Sequence, residues 1–206
     1  TDWLDGGNGD DLLDASQGIN SSWGSMVLPG LGNDTILGSE ALWNNFDGID
    51  IGYWNVSGVG GITVTVGENG SGTVVSGDGQ INDTFKFAHY FLGTDGDDVF
   101  NGSDTSSDPR RIEGFVVNGG TSNEVHGNGG YDVINYEVLG YDGIVVDFVA
   151  GTGTNISSFT DIDEIHGSVG DDTITALGHT DDVWLIGAAG NDTMTGGSGN
   201  SFLSGE

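Results

Sequence analysis

Two segments near the end of the chain share one pattern: Gly167-Ser-Val-Gly-Asp-Asp172-Thr-Ile174 and Gly187-Ala-Ala-Gly-Asn-Asp192-Thr-Met194. In each, glycine occupies the first and fourth positions, aspartate the sixth and an apolar residue the eighth. The residues at the sixth position, here called the carboxylate position, follow one another in steps of 10, 10 and 9: Asp172, Asp182, Asp192 and Ser201. So regular a spacing predicts a repeating unit of short strands joined by turns.

The same pattern recurs earlier in the chain, at Gly6-Gly-Asn-Gly-Asp-Asp11, Gly30-Leu-Gly-Asn-Asp34 and Gly93-Thr-Asp-Gly-Asp-Asp98. Looser copies place three further acids at the carboxylate position: Asp50, Glu124 and Asp132. An apolar residue follows two positions later and is expected to point inward from a short strand. The residues in this apolar position are Leu13, Ile36, Phe100, Ile134, Ile174, Trp184, Met194 and Leu203.

The composition favours turns and strands over helices. Of the 206 residues, 40 are Gly and 25 are Asp, whereas only 7 are Glu; Gly and Asp are turn-forming residues. Three Lys and Arg stand against 32 acids, which gives a formal net charge of −29. This charge argues against nucleic-acid binding, because the protein would repel phosphates. No run of 18 apolar residues occurs, so membrane insertion is not expected.

A chain with this charge repels itself, and folding requires that part of the charge be neutralised. A hard divalent cation is suited to this task, and calcium prefers carboxylate and carbonyl oxygens. Cysteine is absent, which excludes disulfides and thiol chemistry. The chain begins and ends within the repetitive pattern, so we expect it to be a piece of a longer protein.

Together these motifs resemble the RTX family, whose nonapeptide repeat Gly-Gly-x-Gly-x-Asp-x-U-x, with U apolar, binds calcium in a β-roll. The resemblance implies an all-β fold, a right-handed parallel β-solenoid with several Ca²⁺ ions between its turns. It also implies a non-catalytic module of a bacterial protein that leaves the cell by type I secretion. Such a module would fold on meeting calcium outside the cell, with calcium and the other domains of its parent protein as partners.

The resemblance further implies which residues bind calcium, namely the acids at the carboxylate position and the carbonyl groups of the turns that precede them. Thr180 and Ser122 replace turn glycines before Asp182 and Glu124, and Ser201 offers no carboxylate. The implied ligands are Gly6, Asn8, Asp11, Gly30, Gly32, Asp34, Asp50, Gly93, Asp95, Asp98, Glu124, Gly127, Gly129, Asp132, Gly167, Val169, Asp172, Asp182, Gly187, Ala189 and Asp192.

A longer repeat overlies the short one. Residues 132–136 and 143–148 match residues 50–54 and 61–66 at an offset of 82, whereas Gly167–Asp172 match Gly93–Asp98 at an offset of 74. The first copy is thus eight residues longer, around residues 69–82. We predict a half-buried strand at 62–66 and a more buried one at 144–148, within wider, irregular coils. One continuous solenoid is expected, with N-terminal repeats at 1–46, a long module at 47–128 and a second module at 129–206.

Two other functions remain open at this point. An adhesin or glycan-binding segment would use exposed tryptophans, although core packing explains these residues as well: Trp3, Trp23, Trp43, Trp54 and Trp184. A polysaccharide-modifying enzyme would need cations to neutralise its substrate, and the chain has only Lys86, Arg110 and Arg111. The acidic run from Asp161 to Glu164 is expected to face solvent rather than to bind an extra ion.

Overall fold

A computed structural model describes residues 3–17, 25–44, 47–104 and 112–205 of the chain. Strands account for 46% of the structure. The helical elements of the described part are one short α-helix, α1 (Glu40–Trp43), and two 3₁₀ turns at Glu68–Gly70 and Glu137–Leu139. The predicted all-β class is therefore confirmed. In the described ranges, no helix has the length and apolar character needed to cross a membrane.

The strands are short, as expected for a chain in which a glycine-rich turn occurs every ten to twenty residues. In chain order they are β1 (Trp3–Asp5), β2 (Leu12–Asp14), β3 (Ser25–Leu28), β4 (Thr35–Leu37), β5 (Ile49–Gly52), β6 (Ile62–Val66), β7 (Gly72–Ser76), β8 (Asn82–Lys86), β9 (Ala88–Leu92), β10 (Val99–Asn101), β11 (Ile112–Val116), β12 (Asn123–His126), β13 (Tyr131–Asn135), β14 (Val145–Asp147), β15 (Thr152–Gly153), β16 (Ile156–Thr160), β17 (Glu164–His166), β18 (Thr173–Thr175), β19 (Val183–Ile186), β20 (Thr193–Thr195) and β21 (Ser201–Ser204).

These strands form two sheets, and the chain passes back and forth between them. Sheet A has nine strands in the order β1-β3-β5-β9-β11-β13-β17-β19-β21. Every neighbouring pair in sheet A is parallel. Parallel neighbours need a crossover, which the strands and turns of the other sheet supply.

Sheet B has twelve strands in the order β2-β4-β8-β7-β6-β10-β12-β16-β15-β14-β18-β20. Most of its pairs are parallel, but β6-β7-β8 and β14-β15-β16 are antiparallel three-stranded meanders. The two meanders occupy equivalent places in the two copies of the long repeat. The eight extra residues of the first copy lengthen its β7 hairpin, since β7 has five residues whereas β15 has two.

The core lies between the two sheets and is filled by inward side chains from most of the strands. In sheet A the register aligns Val27, Ile51, Phe91, Phe115, Ile134, Ile165 and Leu185, all nearly inaccessible to solvent. In sheet B the inward row includes Leu13, Ile36, Phe85, Val64, Phe100 and Val125. The rows interlock through aromatic contacts, such as Phe100 with Phe115 at 5.6 Å between ring centroids.

Some predicted inward positions differ from those in the structure. Trp184 points outward and is 39% exposed, and the next residue, Leu185, fills the core instead. The predicted strand at 62–66 is confirmed as β6, with alternate residues buried. Its counterpart β14 is shorter than predicted and not more buried, because Val145 is exposed. Leu203 is likewise exposed in the last described strand.

Candidate metal-binding turns

The best copies of the repeat form the turns that lead from sheet A to sheet B. They are residues 6–11, 29–34, 93–98, 167–172 and 187–192, each of which ends one residue before a strand of sheet B. Because the following strands pair in register, the carboxylates of neighbouring turns lie in one row along the sheet edge. The turn at 127–132 has the same pattern but leads from sheet B back to sheet A.

In five of the six turns the first residue is a glycine that makes room for the carboxylate of the same turn; the turn at 29–34 begins with Pro29 instead. A Cβ atom added to Gly167 would collide with Asp172 Oδ2, and one added to Gly187 would collide with Asp192 Oδ2. The same relation holds between Gly93 and Asp98 and between Gly127 and Asp132, and more loosely between Gly6 and Asp11. In these five turns, glycine at position 1 is therefore a steric requirement of a side chain that folds back over its own turn.

Carboxylates in the row also accept backbone hydrogen bonds from the neighbouring turn. The N–H of Asp11 donates to Asp34 Oδ1 at 2.8 Å, and the N–H of Asp172 donates to Asp192 Oδ1 at 3.1 Å. Asp172 and Asp192 are thus neighbours in one row, as the resemblance to the RTX β-roll implies. Each bond leaves the second oxygen of that carboxylate available for another partner.

Three of the predicted ligands have a buried oxygen without a hydrogen-bond partner: Asp11 Oδ2, Asp34 Oδ2 and Asp132 Oδ1. Asp34 is 2% exposed and Asp132 is 1% exposed. Burial raises the pKa of Asp34, with smaller contributions from the charges of Asp11 and Asp10. A buried, unpaired carboxylate oxygen is costly, and coordination of a cation removes that cost. The residues present therefore fit a calcium ion in these turns.

Several other acids surround Asp132. Burial raises the pKa of Asp132 to about 9, and the charges of Glu113, Asp163 and Asp161 add to the effect. A cavity of about 300 Å³ lies beside Asp132, and its lining includes Asp161, Asp163, Asp181 and Asp182. Asp163 Oδ2 accepts the N–H of Asp132 at 2.9 Å. Asp163 thus contacts a predicted ligand, contrary to the expectation that it faces solvent, whereas Asp161 is exposed as expected.

The register corrects three predicted carboxylate positions. The β10–β12 pairing aligns Val99 with Glu124, so Asn123, not Glu124, occupies the position equivalent to Asp98. Asn123 is fully buried, and its Oδ1 accepts the N–H of Asp98 at 2.6 Å. Glu124 is exposed on the outer face of β12. The pattern placed the acid one residue too late because an amide fills this position.

Asp182 and Asp50 are displaced by one residue in the same way. The β19–β21 pairing aligns Val183 with Ser201, so Val183 fills the carboxylate position. Asp182 instead accepts the N–H of Asn200 at 2.8 Å on the surface. Asp50 lies in β5 directly after buried Ile49, and its Oδ1 is 3.6 Å from His89 Nε2. Both shifts follow from core packing, which selects the apolar neighbour of the acid for the inner position.

The repeat pattern did not predict two acids that are buried in the structure, Asp83 and Glu113. Asp83 is fully buried. The β4–β8 pairing aligns Thr35 with Thr84, so Asp83 occupies the position equivalent to Asp34. Asp83 accepts the N–H of Asp34 at 2.8 Å. Glu113 aligns with Asp132 in sheet A and is 4% exposed. Neither acid follows a glycine-rich turn ending at that residue, so the repeat pattern offered no signal. Strand alternation in residues 82–86 was the one clue to the inward direction of Asp83.

The predicted ligands at the third position of the turns are exposed, namely Asn8, Asp95, Val169 and Ala189. Gly129, at the same position, is partly exposed. Some turn carbonyls already bond to the next turn. Gly7 accepts the N–H of Leu31 at 2.9 Å, and Gly32 accepts the N–H of Asn82 at 2.9 Å. A carbonyl oxygen has a second lone pair, so these bonds do not remove it as a ligand. Gly30 packs directly against the Gly7 carbonyl, where a Cβ atom would collide with its oxygen.

Within the described ranges, no three His, Asp or Glu side chains converge on a point that could hold a metal. The described tryptophans do not form one platform either. Trp3 packs edge-to-face against Trp54 at 5.9 Å between ring centroids at the β1 end of sheet A, whereas Trp184 is exposed on β19 near the other end. Trp43 is buried, and Trp23 lies outside the described residues.

Short parallel strands joined by glycine-rich turns with inward-folded carboxylates are typical of calcium-binding repeat proteins. The family model of the RTX calcium-binding nonapeptide repeat matches the chain in four copies, within residues 1–21, 158–185 and 175–203. The chain thus carries RTX repeats near both ends, as the sequence motifs indicate. Residues 22–157, with the first meander and most of the second, lie outside these matches. No curated protein matches the chain.

Proposed function

We propose that the chain is a non-catalytic calcium-binding module of a larger secreted protein. In this proposal sheets A and B are the walls of one right-handed parallel β-solenoid, composed of residues 1–46, 47–128 and 129–206. The observation that carries it is the set of buried, unpaired carboxylate oxygens on Asp11, Asp34 and Asp132. Each belongs to a turn with the RTX pattern, and an ion would satisfy each with the carbonyls of adjacent turns.

Calcium would make folding conditional on the surroundings. Without the ion, the folded state must hold buried carboxylates close to one another in a chain of net charge −29. Ions that bind only the folded state add their binding free energy to its stability. Type I secretion through a calcium-poor cytoplasm, followed by folding outside the cell, would use this dependence.

Titration calorimetry on the chelator-treated chain tests the calcium sites. We expect more than one Ca²⁺ per chain. Mg²⁺ at the same concentration is the control and should bind more weakly, because it demands a near-ideal octahedral geometry that flexible turns of carbonyl and carboxylate oxygens do not impose. Zero or one bound ion would refute the proposal. Turnover of alginate or pectin by the isolated chain would contradict the non-catalytic role.

A further inference from the structure

The glycine-aspartate turns adopt two different backbone conformations. Four of them have positive φ angles at both the second and the fourth residue, and we call them open turns. The angles are 82° and 119° at Gly7 and Gly9, 91° and 150° at Gly30 and Gly32, 67° and 128° at Asn128 and Gly130, and 60° and 130° at Ala188 and Gly190. The three unpaired buried carboxylate oxygens all belong to open turns.

The turns at 93–98 and 167–172 have no residue with positive φ, and we call them closed turns. Their second residue is Thr94 or Ser168, and it binds the carboxylate of the same turn twice. Thr94 donates its N–H to Asp98 Oδ2 and its hydroxyl to Asp98 Oδ1, both at 2.8 Å. Ser168 donates in the same way to Asp172, at 2.6 and 2.7 Å.

A third donor reaches each closed turn from the adjacent meander. The N–H of Ile62 donates to Asp98 Oδ1 at 2.9 Å, and the N–H of Ile144 donates to Asp172 Oδ1 at 2.8 Å. The turns that precede these isoleucines, residues 53–61 and 136–143, lack the glycine-aspartate pattern. An ion bound between a closed turn and the turn that precedes Ile62 or Ile144 would therefore have a carboxylate from the closed turn only.

The last turn shows what a closed turn does without a carboxylate. Gly197 donates its N–H to Ser201 Oγ at 3.0 Å, as Thr94 and Ser168 do to their aspartates. Neither Gly197 nor Gly199 has a positive φ. The closed conformation thus also occurs in a turn that has no charged ligand to offer. On the other side of the molecule, Ser103 holds Glu113 by the same pair of N–H and hydroxyl bonds.

We propose that the closed turns at 93–98 and 167–172 bind no calcium, and that Thr94 and Ser168 take the place of the ion. This inference rests on the proposed function, since it divides the predicted sites into two kinds. A carboxylate has about four lone-pair directions, and three of them are filled by protein donors at Asp98 and at Asp172. A calcium ion at about 2.3–2.6 Å would have to displace these donors. The pairing of β10 with β6 and of β18 with β14 therefore needs no ion at the turn that precedes β10 or β18.

A matched pair of variants tests the inference by calorimetry on the full chain, with CaCl₂ as titrant after chelator treatment. Asp34→Asn should lose one equivalent of calcium, or bind it at least tenfold more weakly, because an open turn loses its charged ligand. Asp98→Asn should keep the wild-type stoichiometry. Loss of an ion in Asp98→Asn would overturn the inference while leaving the calcium function intact. A wild-type chain that binds no calcium would overturn both.

An anomalous difference map of calcium-soaked wild-type crystals provides a second test that does not depend on the folding of any variant. We expect peaks beside open turns and none within about 3 Å of the Asp98 or Asp172 carboxylate oxygens. A peak at either closed turn contradicts the inference. Peaks at no turn would contradict the proposed function together with the inference.

Discussion

The hydroxyl of Tyr53 donates a 2.6 Å hydrogen bond to Asp83 Oδ2, and both side chains are almost completely buried. Tyr53 directly follows β5 in sheet A, whereas Asp83 belongs to β8 of the first meander. The N–H of Asp34 bonds to the other oxygen of Asp83 at 2.8 Å. The bond therefore ties the two sheets together around a carboxylate that has a protein donor on each oxygen.

Tyr53→Phe should destabilise the protein by about 1–3 kcal/mol, because it leaves a buried carboxylate oxygen unsatisfied. Urea unfolding in a fixed calcium concentration measures the loss. Tyr141→Phe is the control, since the Tyr141 hydroxyl bonds to the carbonyl of Val117 from a partly buried site. A Tyr53→Phe loss no larger than that of the control would show that Asp83 finds another donor.

Gly187→Ala should destabilise the last open turn by about 1–3 kcal/mol, since the new Cβ would collide with Asp192 Oδ2. Gly77→Ala is a matched control, because a Cβ there has no heavy atom within 4 Å and the φ of Gly77 is not positive. Thermal unfolding of the two variants separates the steric effect from a general effect of glycine replacement. Equal melting temperatures would contradict the role given to the first glycine.

Asp192→Ala should loosen the C-terminal strands at low millimolar calcium. It removes a predicted ligand and the acceptor of the Asp172 N–H, and the next turn ends in Ser201 and offers no charge in its place. Stability in repeat folds is close to a sum over neighbours, so the damage should stay local. Hydrogen exchange should show lost protection within residues 167–206 and none at Asp11 or Asp34. Wild-type exchange in the C-terminal segment would mean that Asp192 is not a ligand.

The calcium-free protein should lose stability as the pH rises from 5 to 7.5, in part because of Asp50. Burial raises the pKa of Asp50 to about 7, and the charge of Asp47 adds to the effect. The contribution of Asp50 to the stability of the folded state is therefore fully present below its ordinary pKa of about 3.9. This contribution is lost as the pH rises through 7. Burial lowers the pKa of neighbouring His89, whose contribution has the opposite sign and is lost as the pH falls.

Asp50→Asn should flatten this decline, because the amide does not titrate. Melting temperatures at several pH values, in the presence of a calcium chelator, measure the slope. Glu124→Gln, on the exposed face of β12, serves as the control and should leave the slope unchanged. A slope unaltered in Asp50→Asn would assign the pH dependence to other carboxylates.

The sequence predicts the all-β class and the repeat, because glycine and aspartate at fixed spacing specify turns. It does not predict the two meanders, since an antiparallel excursion and a wide coil have the same alternating strands. It misplaces Glu124 and Asp182 by one residue, because the inward direction is set by the packing of Val125 and Leu185. The two kinds of turn differ in backbone angles that the repeat pattern does not specify, and Gly197 shows that the closed angles do not require the hydroxyl of Thr94 or Ser168.

The central claim is that calcium, bound at several turns, holds the fold together. Circular dichroism of the isolated chain, recorded in millimolar calcium, then in excess chelator and again after calcium is restored, tests it most directly. We expect a β-rich spectrum that is lost or strongly reduced in chelator and recovered with calcium. A β-rich spectrum with an unchanged melting temperature in chelator would contradict the claim.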